Sequence, residues 1–306
     1  MRTNIESMWT QSLMRGEQPS YADLRDHLMV IHRNHAGFTE SCAFRCQDRL
    51  GRNSYEFLAD VVDPARHERV LDLACGSGIL LEICHRRCGP RVVLDGVDMS
   101  IDELDLARKR NPDPAIKLHQ GIAQNLDHFD DATFDVVLCH WALTLMDQVS
   151  QVLREVSRVL KPGGTFAAIV DGDPLTATGY VEIHNVIYDM VKSEYPNYGK
   201  IDLGDLRVRN SKDLRQLAFE SFKGAHIDIE SAIFEMYASP DILAREAAGF
   251  FYASFILSTS AHHKMLADLE DHFAGQQKID CSRFALPANR LIVRQRQLKN
   301  SEIARY

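Results

Sequence analysis

One ten-residue stretch, Val70 to Ile79, constrains the fold of this chain more than any other. It reads VLDLACGSGI, a short apolar run that contains an acid and leads into a loop of small residues. Twenty residues after Gly78, a second apolar run ends in another acid, Asp98. Doubly wound α/β sheets bind nucleosides with such an arrangement, because small residues let the backbone approach the ligand and the second acid accepts hydrogen bonds from the ribose hydroxyls.

Apolar runs and helical patterns alternate through most of the chain. The runs predict strands at residues 70–73, 92–97, 116–119, 134–139, 166–170, 227–237 and 289–296. The run at 134–139 is almost continuously apolar, which is typical of a strand covered by helices on both faces. The alternation predicts a doubly wound, largely parallel α/β sheet with right-handed crossovers.

Two segments lie outside this alternation. Residues 1–66 predict a helical N-terminal lid, and residues 67–306 predict the sheet core. A helical segment at about 172–210 interrupts that core, with Ile183 and Ile187 one turn apart. We expect both helical segments to cover the cleft, exclude water and shape the pocket for a substrate.

Composition narrows the partners and the compartment. The net charge of −8 argues against a nucleic-acid partner, because such proteins are usually basic. The seven cysteines are odd in number and lack zinc-knuckle spacing, which predicts reduced thiols and no metal site. We find no signal-peptide pattern and no membrane-length apolar run. We therefore expect a cytoplasmic protein that acts on a small molecule, with no membrane partner, and whose sequence is compatible with a homodimer.

The motifs, taken in order, resemble the class I S-adenosylmethionine-dependent methyltransferases, in particular their small-molecule branch. The resemblance lies in the loop at 72–78, Asp98, the GIA segment at 121–123, the run at 134–140 and the LKPGG segment at 160–164. It implies a seven-stranded Rossmann-like sheet with an antiparallel last strand. It also implies S-adenosyl-L-methionine as the cofactor and a small-molecule methyl acceptor.

The resemblance assigns cofactor contacts residue by residue. Asp98 would hold the ribose, Asp72 would organise the loop and contact the ammonium group, and Met99 and Ile122 would pack on adenine. The complete implied set is Asp72, Ala74, Gly76, Gly78, Asp98, Met99, Ile122, Ala123 and Cys139. Two positions depart from the family pattern: the first loop glycine is Ala74, and the acid often found before the loop alanine is Ile122. Another residue, such as Gln120 or Gln124, would then hold the adenine amino group.

Two other interpretations of the loop remain open. A nicotinamide-dependent oxidoreductase would need G-x-G-x-x-G, but Leu81 occupies the third position and would crowd the helix against the strand. A non-catalytic S-adenosylmethionine-binding regulatory protein would share the cofactor site, although the intact acids and glycines favour an enzyme.

Candidate catalytic residues follow the fourth and fifth predicted strands. His140 is either a general base or a wall of the cofactor pocket. Trp141 stacks on the acceptor, joins a cationic cage or packs in the core. Asp171 either orients the acceptor or caps a loop. Tyr188 and Arg207 are candidates for substrate binding, as an aromatic wall and a carboxylate clamp.

The sequence leaves the acceptor open. Methyl transfer is an in-line displacement that depends on alignment, and a base is needed only when the acceptor must lose a proton. Aromatic residues with arginines suit an amine or thioether acceptor of amino-acid type. A phenolic hydroxyl, as in many natural products, fits with His140 as the base.

Overall fold

The computed structural model describes residues 4–38, 40–201, 203–276 and 281–297. Within these ranges, seven strands form one sheet in the order β3-β2-β1-β4-β5-β7-β6. They are β1 (Arg69–Leu73), β2 (Val93–Asp98), β3 (Ile116–Gln120), β4 (Phe134–His140), β5 (Leu160–Asp171), β6 (His226–Ala238) and β7 (Ser282–Arg294).

Eleven α-helices accompany the strands in the same described ranges. They are α1 (Met8–Arg15), α2 (Tyr21–His35), α3 (Glu40–Arg45), α4 (Ser54–Ala59), α5 (Ile79–Cys88), α6 (Ile101–Arg110), α7 (Val149–Val159), α8 (Tyr180–Glu194), α9 (Ser211–Ser221), α10 (Pro240–Phe250) and α11 (Thr259–Gly275). None of them is long and apolar enough to cross a membrane.

Strand pairing confirms the predicted doubly wound sheet. Strand β1 pairs in parallel with β2 and β4, β2 with β3, and β4 with β5. Strand β7 runs antiparallel to β5, as the resemblance implied. Because parallel strands end at one edge, the last residues of β2, β3, β4 and β5 all lie at the carboxyl edge of the sheet.

Apolar side chains on α7 explain why this helix packs on the sheet. Val149, Val152, Val156 and Val159 follow helical spacing and are completely buried. They join a core that includes Phe134 of β4. Burying a side chain of this size contributes roughly 1.5–3 kcal/mol, so these four valines hold α7 firmly in the core.

The chain divides into two compact units. One comprises the residues up to Ser54 together with Asp173–Leu203 and Ile233–Pro287, and it is mainly helical. The other comprises Tyr55–Gly172, Gly204–Ala232 and the residues from Ala288 onward, and it contains β1–β5. The division into units does not test whether the segments at 1–66 and 172–210 cover the cleft, so the lid and the insertion stay predictions.

The helical unit has its own core. Trp9 stacks on His27 with ring centroids 4.6 Å apart, and Ser7 Oγ lies 2.9 Å from His27 Nδ1. Helix α2 begins with a capping box, in which the side chains of Ser20 and Asp23 each accept the other residue's backbone N–H. Burial lowers the pKa of His27 to about 4, so this ring is neutral at physiological pH.

Candidate active site

The loop between β1 and α5 turns through left-handed backbone three times. Its φ values are 57° at Ala74, 51° at Gly76 and 80° at Gly78. This conformation is strained for a residue with a Cβ atom, so Ala74 carries the strain and the glycines avoid it. A Cβ atom on Gly78 would lie 2.6 Å from Asn111 Nδ2, and this position therefore has no room for a side chain.

Two residues at the end of α6 hold this loop in place. Asn111 Nδ2 donates to the carbonyl oxygen of Gly78 at 3.0 Å, and Arg110 donates to the carbonyl oxygen of Ser77 at 2.9 Å. Asn111 is 8% exposed, so the bond is shielded from water. The sequence analysis missed both residues, since nothing in a helix-terminal Arg-Asn pair indicates that it turns inward.

Asp98 ends β2 with its carboxylate already oriented. Oδ2 accepts the Gly76 N–H at 2.9 Å, and Oδ1 accepts the Ser100 N–H at 2.8 Å. An ionised carboxylate is an acceptor with about four positions, which is the chemistry that a ligand diol requires. The side chain is 9% exposed, and two backbone N–H groups fix its position at the end of β2. Ribose binding by Asp98 stays a prediction.

Asp72 is a buried carboxyl group in β1. It is 2% exposed, and neither of its oxygens has a hydrogen-bond partner among the residues that the structure describes. Burial, with a smaller contribution from Asp98, raises the pKa of Asp72 well above its usual value. An unpaired buried carboxylate is strongly unfavourable unless a cation neutralises it. The residue therefore fits the ammonium group at the methionine end of S-adenosylmethionine.

The predicted adenine contacts lie beyond Asp98 and after β3. Ile122 is 36% exposed for a large apolar residue, Ala123 is 7% exposed, and Met99 is half-buried. An apolar side chain left at a sheet edge suits the face of a flat base. These three contacts, like the others in the implied set, stay predictions.

Leu81 fits where a third loop glycine would stand. It is 1% exposed, and its Cδ1 atom would lie 2.8 Å from a Cβ atom on Gly96 of β2. The crowding that we expected from Leu81 is therefore avoided, because the opposing strand has glycine there. In β4, Cys139 is completely buried, and burial raises its pKa to about 12, which keeps the thiol neutral.

His140 is a neutral, stacked ring at the carboxyl end of β4. Tyr55 of α4 lies over it with centroids 3.6 Å apart and an interplanar angle of 21°. Burial lowers the pKa of His140 to about 3. An imidazole with such a pKa is a weak proton acceptor, which favours the pocket-wall alternative. Tyr55 escaped the sequence analysis, because no local pattern connects it to His140.

Trp141, Asp171 and Arg209 form a side-chain group at the ends of β4 and β5. Trp141 has a φ of 52°, and its Nε1–H donates to Asp171 Oδ1 at 3.2 Å. Arg209 Nε lies 3.7 Å from Asp171 Oδ2. Burial raises the pKa of Asp171, while the Arg209 charge and the Trp141 hydrogen bond oppose part of that rise. Strain at Trp141 is consistent with a functional position.

The two predicted substrate-binding residues each have other contacts within their own unit. Arg207 donates to Asp205 at 2.6 Å and to Ser150 Oγ at 3.3 Å, so Arg209, rather than Arg207, reaches Asp171. Tyr188 belongs to the helical unit, where it stacks on His184 with centroids 3.9 Å apart. Both assignments stay predictions. Across the described part of the chain, no cluster of His, Cys, Asp and Glu could hold a metal ion.

Comparison with known sequences agrees with this geometry. A family profile described as a methyltransferase domain matches residues 71–168. Ubiquinone/menaquinone biosynthesis C-methyltransferase UbiE of Desulfotalea psychrophila is 32% identical over 211 residues, which are 67% of this chain and 76% of that protein. The 2-phytyl-1,4-naphtoquinone methyltransferase of Nostoc punctiforme is 40% identical over 105 residues, 33% of this chain and 45% of that protein.

Solved structures share the fold at lower identity. Phosphoethanolamine N-methyltransferase 2 of Haemonchus contortus, in complex with S-adenosyl-L-methionine, has a TM-score of 0.56 and 17% identity over 90% of this chain and 60% of that one. The [4+2]-cyclase SpnF has a TM-score of 0.54 and 17% identity over 92% of this chain and 98% of that one. Because a cyclase shares the fold, the fold alone does not define the reaction. With the UbiE relative and the profile match, the chain belongs to the class I S-adenosylmethionine-dependent methyltransferases, and S-adenosylmethionine is its cofactor.

Proposed function

We propose that this methyltransferase acts on a small hydroxylated aromatic ring and that Asp171 holds the hydroxyl group of the acceptor. The single observation that carries the proposal is a carboxyl group of raised pKa at the carboxyl end of β5, next to Trp141. The names of the two relatives support it, since both describe enzymes of quinone methylation. A quinone precursor bears ring hydroxyl groups, and methylation at carbon or oxygen benefits when such a group loses its proton.

The cofactor residues align the methyl donor. The Asp98 carboxylate would hold the ribose through oxygens that Gly76 and Ser100 already fix, and Asp72 would bind the ammonium group. When bound, the cofactor supplies an electrophilic methyl group on sulfur. The protein contributes by holding acceptor and donor in line, which can account for much of the acceleration.

Proton transfer distinguishes Asp171 from His140. A phenol has a pKa near 10, whereas burial lowers the pKa of His140 to about 3. Transfer of a phenolic proton to His140 would therefore be strongly unfavourable. Asp171 has its pKa raised by burial, which strengthens its carboxylate as a base. We therefore assign the hydroxyl group to Asp171 and the ring wall to His140 and Tyr55.

Amines and thioethers remain the competing acceptors from the sequence analysis. Each attacks with a free lone pair and needs no base. The test is turnover with methyl-labelled S-adenosylmethionine against a panel of hydroquinones, phenols, amines and thioethers, with identification of the methylated atom. Methylation of a hydroxylated ring is expected. Turnover confined to amines or thioethers would refute the ring assignment while leaving the methyltransferase assignment intact.

Variants test the role of Asp171 directly. We expect Asp171→Asn to lower kcat with the hydroxylated acceptor by roughly 10²–10⁴-fold, because the amide cannot accept the proton. The matched control is Asp213→Asn, which changes an exposed carboxylate on α9. Wild-type kcat in Asp171→Asn would remove Asp171 from the mechanism. The cytoplasmic location, the absence of nucleic-acid and membrane partners, and the homodimer stay predictions that this panel does not address.

A further inference from the structure

We propose that the side-chain carbonyl of Gln120 recognises the amino group of adenine, so that the site selects adenosyl ligands over their deaminated counterparts. The proposal assigns a specificity role to one residue of this chain. It depends on Asp98 holding the ribose, and it is independent of the methyl acceptor.

Strand register places Gln120 beside the ribose acid. Asp98 and Gln120 are the last residues of β2 and β3, and they are register partners in a parallel pair. The Gly121 N–H donates to the Asp98 carbonyl oxygen at 3.0 Å, which fixes the two strand ends together. Side chains of register partners leave the same face of a sheet, from strands about 4.8 Å apart. Gln120 therefore lies one strand beyond the carboxylate that holds the sugar.

The amide of Gln120 has a defined orientation. Its Nε2 donates to the carbonyl oxygen of Met99 at 3.3 Å. This bond directs the nitrogen toward the backbone and leaves Oε1 as the acceptor end of an exposed side chain. The amino group of adenine is a donor and needs an acceptor. Rotating the amide by 180° would break the bond to Met99. The orientation of the amide therefore favours an amino group on the base over a carbonyl oxygen.

The neighbouring side chains are less suited to this role. Ile122 is apolar and has no side-chain acceptor. Gln124 is 6% exposed, and its Nε2 donates to both the backbone carbonyl and the carboxylate of Asp147. The Gln124 amide is thus directed into the protein by two bonds. Of these three side chains after Asp98, Gln120 presents its acceptor at the exposed end of β3.

Calorimetric titration with two probes tests the proposal. S-adenosylhomocysteine carries the amino group, and S-inosylhomocysteine has a carbonyl oxygen in its place. The wild type is expected to bind the adenosyl ligand more tightly. Gln120→Leu should weaken that ligand by about 2- to 12-fold, the equivalent of one net hydrogen bond, and change the inosyl ligand far less. Gln120→Glu keeps an acceptor and should keep the preference.

A matched substitution and three outcomes make the test decisive. Gln216→Leu replaces an exposed glutamine on α9 and should bind both probes as the wild type does. Thermal unfolding should show the same Tm for both leucine variants, since both positions are exposed. A full wild-type preference in Gln120→Leu, or equal weakening of both probes, would overturn the proposal. No binding of S-adenosylhomocysteine by the wild type would instead overturn the cofactor site on which the proposal depends.

Discussion

Asp72→Asn should stabilise the unliganded protein and impair the cofactor site at the same time. The carboxyl group is 2% exposed and lacks a hydrogen-bond partner among the described residues. An uncompensated buried charge costs roughly 3–5 kcal/mol, whereas an unpaired neutral amide costs roughly 1–3 kcal/mol. We therefore expect a gain of about 2 kcal/mol at pH 8, which is about 3 °C in Tm at this chain length.

The gain depends on pH in a defined direction. Burial raises the folded-state pKa of Asp72 above its unfolded value. Asp72 then holds its proton more tightly in the folded protein than in the unfolded chain. The wild type therefore loses stability as pH rises from the unfolded-state pKa of Asp72, near 4, through its folded-state pKa. Asparagine does not titrate. The difference in Tm between Asp72→Asn and the wild type should be largest at pH 8 and close toward pH 4.

Ligand should remove the stability advantage of Asp72→Asn over the wild type. Loss of one charge-assisted hydrogen bond, about 1.5–3 kcal/mol, weakens S-adenosylhomocysteine by roughly 10- to 150-fold. A ligand at 100 times its Kd stabilises the wild type by about 2.7 kcal/mol, but a variant with 100-fold weaker binding gains only about 0.4 kcal/mol. The difference between these two gains, about 2.3 kcal/mol, offsets the expected advantage of about 2 kcal/mol, so the two proteins should then have nearly the same Tm.

Thermal unfolding with and without ligand, together with calorimetric Kd values, measures both effects. Titration in buffers of different ionisation enthalpy should also show proton release on binding by the wild type, up to one proton, and none from Asp72→Asn. The exposed Asp213→Asn variant should keep the Kd and the proton release of the wild type. An Asp72→Asn protein that is less stable without ligand and binds with an unchanged Kd would refute the reasoning.

Three further substitutions probe the rest of the site. Asp98→Ala should raise the Kd for S-adenosylhomocysteine by roughly 10- to 100-fold in calorimetry, because the ribose loses its ionised acceptor; wild-type affinity would show that the ribose binds elsewhere. Asn111→Ala should lower the free energy of unfolding by about 1–3 kcal/mol in denaturant unfolding, since the Gly78 carbonyl loses its donor; an unchanged midpoint would show that the Asn111–Gly78 hydrogen bond does not stabilise the fold. His140→Gln should reduce the loss of stability between pH 6.5 and pH 4, because a folded pKa of about 3 makes the wild type less stable as pH falls through that window; identical pH curves would contradict a lowered pKa for this ring.

Local patterns in the sequence were enough to predict the sheet. The predicted ends of each strand from β1 to β4 agree with the observed ends to within one residue. These strands could be predicted because an apolar run between turn residues is a local pattern in the sequence. Strand β5 begins at Leu160, earlier than the predicted 166, because Leu160 pairs with Phe134 across a register shift that separates it from the pair of Val136 and Thr165. Strand β7 begins at Ser282 although Pro287 interrupts its pattern.

Side-chain partners distant in sequence were beyond prediction. The acids and glycines of the cofactor loop follow one another closely, and a spacing rule could find them. The stacking of Tyr55 on His140 and the approach of Arg209 to Asp171 arise only when separate elements meet at one sheet edge. Burial then changes the chemistry, because a neutral His140 is a poorer base than its position in the sequence suggested.

The most direct test of the account is a crystal structure with S-adenosylhomocysteine bound. It should show both ribose hydroxyls within 2.6–3.2 Å of the Asp98 carboxylate oxygens and the ligand's ammonium group at Asp72, directly or through one water. A ribose bound away from the carboxyl end of β2, or an ammonium group distant from Asp72, would contradict it.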